Sequence, residues 1–502
     1  MKIVAILAVI FVVLVFVVIP AIVTFFVDMD GYRPEIISKI KEKTGKEVEI
    51  GKLSLSLIGG VGLKAKDVSV KDPKIKDKNI LSTSSITARI SLIRLLKGEL
   101  GIKKVVLKGP EFNIVKYRDG TLNIAESNAV DRDRGAPEGE KDFSPSTGDN
   151  EIAPAPSPGD SVKSLFKIRS VSIRSIEIVG GRFVYSSERS GAKTHQPVKI
   201  VELSGVDLDV SSINLPTVFT GDKNSLESKE IEGKIVGEIE NASFNKTRVS
   251  KVDFTCSVGG GEAVIKEFVF SIYGGIVGAE GIFRYASESP SGELSIRASG
   301  IRFHELLNSI SDEENLIVGT LKLDGNFAFP IKGGKAFTSD LKGKGNVSVT
   351  DGTVPDFSIR KELAKSLKIP PATLPAELDT GDFSYMGGSY TIDSGKLFTN
   401  DFKTEGPSYN SMTQGYLGFN GVLDFSGNIY PSEEVVRTSS FEKLTSSIGM
   451  GGKLDKIPFT VTGTLDNVKF KIEYEGLFGL GSEGGSKALK ELGKSILENI
   501  FK

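Results

Sequence analysis

The first 28 residues constrain this chain more than any other stretch. Residues 3–27 form a run of 25 residues without a charged side chain, and 20 of them are Ile, Val, Leu or Phe. As an α-helix the run would be roughly 37 Å long at about 1.5 Å per residue, which is enough to cross a bilayer with some tilt. We therefore predict a transmembrane anchor at residues 1–28. Its apolar residues include Ile3, Phe11, Phe16 and Phe26.

A cleaved signal peptide is the alternative for this segment. The apolar region of a signal peptide is usually about 7–15 residues long and ends at a small-x-small cleavage site. The run here is longer, and the sequence from Thr24 to Asp28 offers no such site, so we expect the anchor to be retained. Lys2 precedes the run and Arg33 follows it, with Asp28 and Asp30 between them. The amino-terminal lysine favours a cytoplasmic N-terminus, with the long body translocated across the membrane.

The composition argues against several classes of function. The 63 Lys and Arg residues are balanced by 64 Asp and Glu residues, so the basic surface of a nucleic-acid-binding protein is not expected. The chain has one cysteine, Cys256, and two histidines, His195 and His304, which lie far apart. A His/Cys metal site or a Cys–His nucleophile pair is therefore almost excluded. We predict no catalytic residues, no metal site, no cofactor and no enzymatic activity.

After the anchor, residues 33–40 predict a short amphipathic helix, because Pro34 suits a first turn and Gly45 ends the pattern. Apolar and polar residues then alternate, which is typical of half-buried antiparallel strands with one wet face. Such strands recur along nearly the whole chain, more than one sandwich would use, so we predict a long open sheet or several sheets in series. Examples are residues 53–57, 68–70, 112–114, 206–210, 294–296, 321–323 and 470–474.

Residues 125–161 interrupt the strands. They are charged, rich in proline and without periodicity, which predicts a disordered linker. Short helices are predicted from Phe303 and across Ile359, Leu363 and Leu367. An apolar stripe after Ser486 predicts a C-terminal helix, which suits a membrane surface, a partner, a lid on the sheet or a packed core. The predicted segments are 1–28 (anchor), 29–124 (helix and β region), 125–161 (linker), 162–475 (β-rich body) and 476–502 (Gly-rich linker and amphipathic helix).

Two weaker motifs are interpreted without a functional role. Residues 479–484 fit the glycine pattern of a dinucleotide-binding turn, but no further strand with an acidic residue follows about 20 positions later, so we interpret them as a flexible linker. His304 is next to Glu305, and an isolated pair of this kind is usually a surface contact.

Several sequence blocks resemble, in their shared order, those of the AsmA family of Gram-negative envelope proteins. Residues 33–36 (RPEI), 44–55 (TGKEVEIGKLSL) and 62–70 (GLKAKDVSV) are similar to the family's opening block, and residues 119–123 (DGTLN) to its "DGxxN" turn. In the C-terminal half, residues 343–352 and 457–465 resemble the family's β-rich region and closing strands. Val468 stands where that family often has proline.

The resemblance implies a single-pass inner-membrane protein with a cytoplasmic N-terminus and a periplasmic body. The expected fold is mainly β: the transmembrane helix is followed by an elongated, curled antiparallel sheet that forms a taco-like groove, with a few short helices. The implied function is to bind or conduct phospholipid toward the outer membrane and to support outer-membrane assembly. The implied partners are membrane lipid, the inner membrane and an outer-membrane or envelope protein. Candidate groove-lining residues are Leu208, Val210, Phe270 and Ile272.

The competing hypothesis is a periplasmic scaffold or adaptor that regulates outer-membrane protein assembly without carrying lipid. In that case the apolar faces would close into ordinary sandwich cores. The two hypotheses differ in whether inward positions such as Leu208 and Phe270 line an open channel.

Overall fold

The protein is described by a computed structural model and divides into two compact units, Met1–Asn245 (unit 1) and Lys246–Lys502 (unit 2). The alternating pattern indicated no boundary at this position. The predicted anchor, all but the first residue of the predicted linker and the predicted C-terminal helix lie outside the described residues. Among the helices of the described part, none is long and apolar enough to cross a membrane. The described residues are 29–56, 61–75, 77–91, 100–125, 171–188, 197–214, 232–245, 247–310, 317–331, 339–355, 357–367, 369–447, 455–465 and 467–473.

Unit 1 begins with helix α1 (Arg33–Thr44), which follows a 3-10 turn at Asp30–Tyr32. The predicted helix is confirmed: Pro34 lies in its first turn, and Gly45 ends it in the left-handed conformation with a φ of 65°. The rest of the described unit is β-structure. Its strands are β1 (Val48–Ser56), β2 (Gly62–Lys71), β3 (Asn79–Ile90), β4 (Leu100–Lys108), β5 (Glu111–Lys116), β6 (Val171–Ile173), β7 (Ile176–Ser187), β8 (Val198–Asn214) and β9 (Glu232–Phe244).

Most strands of unit 1 pair antiparallel, as predicted, but the middle of the unit does not. β4 and β5 both pair antiparallel with β3, and on their other side they run parallel to β6 and β7. Parallel neighbours need a crossover of a dozen or more residues, and residues 117–170 supply that length. The alternation of apolar and polar residues does not predict whether neighbouring strands run parallel or antiparallel, because both kinds of strand can show it.

Side chains that follow the predicted anchor in the sequence contact the first strand. Arg33 donates hydrogen bonds to the carbonyl oxygens of Gly51 and Ile50, the latter at 3.4 Å. The backbone N–H of Leu53 donates to Asp30 Oδ1 at 2.8 Å. These contacts fix the start of α1 against β1.

The described residues of unit 2 form a meander of twelve strands in which each strand pairs antiparallel with the next. The predicted mainly β, antiparallel character is therefore confirmed here. The strands are β10 (Thr247–Gly259), β11 (Glu262–Ile272), β12 (Gly275–Arg284), β13 (Ser291–Arg302), β14 (Val318–Pro330), β15 (Lys342–Thr353), β16 (Asp382–Asp393), β17 (Lys396–Glu405), β18 (Tyr409–Gly418), β19 (Val422–Pro431), β20 (Ile457–Thr464) and β21 (Asn467–Ile472).

The described helices of unit 2 all lie at one end of its strands. Successive connections of a meander alternate between the two ends, and the connections β13–β14, β15–β16 and β19–β20 share an end, which we call the helical end. The helices at 303 and 359 were predicted and are confirmed, whereas the third connection was not predicted to be helical. The helices are α2 (Phe303–Ile310), α3 (Ile359–Leu367), α4 (Glu433–Val436) and α5 (Ser439–Ser447), with 3-10 turns at Pro371–Thr373 and Ala376–Leu378.

The buried core of unit 2 is concentrated at the helical end. One cluster joins α3, α4 and α5 to the ends of β18–β21 through fully buried side chains such as Leu363, Phe441 and Ile457. A second cluster places Phe303 and Leu306 of α2 against Ile301, Leu321 and other residues of β13–β16. The helices therefore cover the sheet where the strands end.

Replacing Phe441 by alanine tests this description of the core. The Phe441 side chain is 0% exposed, and removal of its ring would leave a cavity. We therefore expect the free energy of unfolding to fall by about 3–5 kcal/mol. The measurement is urea unfolding of the full chain, with hydrogen exchange locating the loss in β18–β20. The control is Phe419→Ala, because Phe419 is 43% exposed. Equal losses for the two variants would contradict the core assignment.

Candidate functional site

One face of the unit 2 sheet is apolar across many strands. Phe270, Val277, Ala298, Leu323 and Val347 are successive cross-strand partners from β11 to β15. Directly opposite residues point to the same side of a sheet, so these five side chains share one side, which we call the inner face. Helices α2 and α3 pack on this face, since it contains both buried clusters.

Burial of the inner face falls with distance from the helices. On β13 and β14, Ile301 and Leu321 are buried near the helical end, whereas Leu294 and Phe327 are only half-buried toward the other end. The predicted residue Ile272 packs against the α2 cluster, and Phe270 is half-buried with its ring 5.7 Å from that of Phe268. The helices thus leave part of an apolar surface accessible.

Glycines let aromatic rings lie against the floor of this face. A Cβ placed on Gly325 would lie 2.1 Å from the Tyr390 hydroxyl oxygen, and one on Gly343 would lie 2.8 Å from the Phe327 ring. The Tyr390 hydroxyl donates to the Asp324 carbonyl oxygen at 3.2 Å, and burial raises the pKa of Tyr390. Side chains at these two glycine positions would push the rings away from the sheet and into the space above it.

An apolar cavity of about 530 Å³ lies within unit 2. Its walls come from the inner-face side chains of β15–β21 together with residues such as Val354, Phe357 and Ile359 from the connection that contains α3. Phe470 stacks on Phe459 and meets Phe357 edge-on, each at 5.3 Å between ring centroids. Aromatic pairs of this kind stabilise the wall of the cavity beyond the burial of their surface.

A second, more polar depression of about 800 Å³ lies on strands β11–β16. Its lining includes Leu294 and Phe327 from the inner face, with Glu293, Lys342 and Lys344 nearby. Charged side chains therefore accompany apolar ones here, in contrast to the 530 Å³ cavity.

Unit 1 also has a continuous apolar face that contains the predicted residues Leu208 and Val210. Leu208 pairs with Ile178 on β7 and Val210 with Ile176, and both are half-buried. On the other side of β8, Val210 pairs with Ile235. The structure thus brings Leu208 and Val210 together in unit 1, and Phe270 and Ile272 together in unit 2, in each case on an apolar face.

The turn at residues 119–123 has a structural role in unit 1. Asn123 is 1% exposed; its amide donates to Asp72 and to the Asn113 carbonyl oxygen, both at 2.9 Å, and its side-chain oxygen accepts from the Val115 N–H at 3.0 Å. Lys46 donates to the Asn123 carbonyl oxygen at 2.9 Å. The turn therefore connects β5 to the loop after β2 and to the segment after α1.

Asp72 is the centre of this cluster. Its carboxylate accepts hydrogen bonds from the Tyr117 hydroxyl, the Asn123 amide and the backbone N–H groups of Lys74 and Ile75, at 2.5–2.9 Å. Burial alone would raise the pKa of the Asp72 carboxyl, but these hydrogen bonds outweigh burial and lower the pKa. The cluster is therefore a partly buried polar contact that stabilises the fold.

The remaining predicted sites are distributed as follows. Ile3, Phe11, Phe16 and Phe26, with His195 and residues 479–484, lie outside the described residues. His304 is half-buried on α2, while Glu305 pairs with Arg302 at 2.5 Å. Within the described ranges, no group of three or more His, Cys, Asp or Glu side chains is placed to hold a metal ion.

Residues 1–237 match the family model described as the AsmA family. No match was found among curated proteins.

The Asp72 cluster predicts a pH-dependent contribution to stability. Because the pKa of Asp72 is lowered in the folded chain, its contribution is present above the unfolded value of 3.8 and is lost as the pH falls through the folded value. Asp72→Asn is expected to lower the free energy of unfolding at pH 7, and the difference from wild type should shrink between about pH 5 and pH 2.5. Denaturant unfolding across this range measures it. A difference that stays constant would contradict the assigned role.

Proposed function

Because this chain belongs to the AsmA family, through its residues 1–237, we propose that it is a non-enzymatic envelope biogenesis protein. It binds or conducts phospholipid along the apolar faces of its β-sheets, from the inner membrane toward the outer membrane, and supports outer-membrane assembly. In this proposal the chain crosses the inner membrane once at residues 1–28, with a cytoplasmic N-terminus and a periplasmic body. Its further partner is an outer-membrane or envelope protein, and nucleic acid is not a partner.

The observation that carries the proposal is the partly covered inner face of unit 2. Helices bury this face at one end of the strands, while residues such as Phe283, Leu294 and Phe327 stay half-buried. An acyl chain lying on these residues would gain about 0.8 kcal/mol for each methylene removed from water. The lipid headgroup would remain in water beyond the apolar strip. Binding of this kind needs no covalent chemistry.

The contacts that follow the predicted anchor support a placement of the start of unit 1 at the membrane. Asp30 and Arg33 come directly after the predicted membrane segment and bond to the backbone of β1. In the proposal these contacts start the unit 1 sheet at the membrane surface, so that an acyl chain leaving the bilayer first meets the apolar face of unit 1. Leu208 and Val210 lie further along that face.

Labelling the single cysteine tests lipid contact with the inner face. Cys256 is half-buried and pairs with Ile265 on the inner face of β10 and β11. The full chain is labelled there with monobromobimane, at raised pH because burial raises the pKa of the Cys256 thiol, and is reconstituted into vesicles of phosphatidylcholine with brominated acyl chains. Bromine quenches bimane at short range, so we expect quenching if lipid reaches the inner face.

The matched control moves the label to the opposite face of the same strand. In the double variant Cys256→Ser, Ser257→Cys, the label takes the place of Ser257, which pairs with Val264 on the other side of the sheet. Quenching at Cys256 but not at the control position supports the proposal. Equal quenching at both positions, or quenching at neither, would count against lipid on this face and would favour the scaffold hypothesis.

A further inference from the structure

The 530 Å³ cavity of unit 2 contains hydroxyl groups that have no hydrogen-bond partner among the described residues. They belong to Thr404, Tyr409 and Ser411, which are 6%, 5% and 9% exposed. Thr404 on β17 and Ser411 on β18 are direct cross-strand partners, and Tyr409 is two positions before Ser411 on the same face. The fully buried side-chain atoms without a partner among the described residues do not include these three hydroxyl oxygens. The hydroxyls therefore open onto the cavity, where a polar ligand group can supply the hydrogen bonds that buried hydroxyls normally make.

The rest of the lining specifies the character of that ligand. None of the described residues that line the cavity carries a charge, and most of them are aliphatic or aromatic. A charged group would lose its hydration here without gaining a counter-ion, which is strongly unfavourable. A ligand with a neutral oxygen on a long apolar body fits this cavity. The oxygen can bond to the hydroxyls, and the apolar body can contact the aliphatic and aromatic lining.

The volume limits the length of the apolar body. An apolar cavity of about 150 Å³ binds benzene, a ligand with six carbons. By simple proportion a cavity of about 530 Å³ holds on the order of twenty carbons. This is the size of one acyl chain with its carbonyl group, whereas the two chains of a diacyl lipid would need about twice the volume.

We propose that this cavity binds a single acyl chain, with the neutral carbonyl of its ester or protonated carboxyl group hydrogen-bonded by Tyr409, Thr404 and Ser411. The inference rests on the proposed function in that the chain must meet lipid, but it concerns a site distinct from the open part of the inner face. Burial raises the pKa of Tyr409 to about 12, so its hydroxyl stays protonated and can donate to the carbonyl oxygen. The acyl carbonyl could belong to a free fatty acid or to a phospholipid.

Photo-labelling of the full chain tests the site. One arm uses a 16-carbon fatty acid that carries a diazirine near its last carbon, and the other arm uses a lysophospholipid with the same chain. After irradiation, mass spectrometry maps the labelled peptides, which we expect from β15–β21. Labelling by either probe supports the proposal, and the stronger arm identifies the source of the acyl chain.

Three variants make the test specific. Thr413→Phe fills the cavity and should reduce labelling about tenfold or more, because Thr413 is part of the lining. Met412→Phe is the matched control on the same strand, since Met412 is 45% exposed outside the lining, and should leave labelling unchanged. Tyr409→Phe keeps the ring and removes only the hydroxyl, so it should weaken binding roughly 2- to 10-fold without unfolding the chain.

Several outcomes would overturn the inference. They are an absence of labelling in β15–β21, labelling that is unchanged in both Thr413→Phe and Tyr409→Phe, and labelling that appears only after residues 476–502 are removed. The last result would mean that the cavity is occupied by the chain's own C-terminal segment. Quenching at Cys256 without labelling of the cavity would overturn this inference and leave the proposed function standing. Labelling of the cavity without quenching at Cys256 would support an acyl chain in the cavity and count against lipid on the open part of the inner face.

Discussion

The pairing of each strand with its neighbour along the chain is the constraint on which unit 2 depends. Alternation along the strands then places the apolar side chains of twelve strands on one common face, which must be covered or remain partly wet. The described helices of unit 2 occur in three connections, all at the same end of the strands. The two buried clusters, the cavity beneath α3 and the half-buried remainder of the inner face all follow from this unequal cover.

Local patterns in the sequence predicted the elements that depend on nearby residues. The strands containing Leu208 and Phe270 show alternation because one face is wetter than the other, and α3 shows Ile359 and Leu363 four residues apart, both fully buried. Helix α4 was missed because it is only four residues long. Helix α5 is as long as α3, but its only large apolar residues are Phe441 and Leu444, so it shows no clear repeat. The hydrogen bond from the Val435 N–H to the Ser432 hydroxyl, at 3.4 Å, marks the start of α4.

The features that were not predicted depend on residues brought together by register. Thr404 and Ser411 meet because the turn between β17 and β18 pairs Glu405 with Asn410, which sets the register of the pair next to it. Likewise, Gly325 and Gly343 would suggest turns in the sequence, yet both lie within strands. Glycine is needed there because the rings of Tyr390 and Phe327 approach the backbone closely. The parallel direction of β7 against β4 and β5 also has no local signature. A single sequence contains no direct record of such distant pairings.

The crossover in unit 1 has a consequence for the order in which the chain can fold. β1, β2 and β3 pair with near neighbours, so their hairpins can close as soon as the residues are synthesised. β4 and β5 then have one open edge until β7 arrives more than fifty residues later, and β8 and β9 can add only after β7. Unit 2 has no comparable delay among its described strands, since each needs only the one before it. Unit 1 therefore contains the slow, long-range step of folding, and its temporarily open edge is the surface most in need of protection during biogenesis.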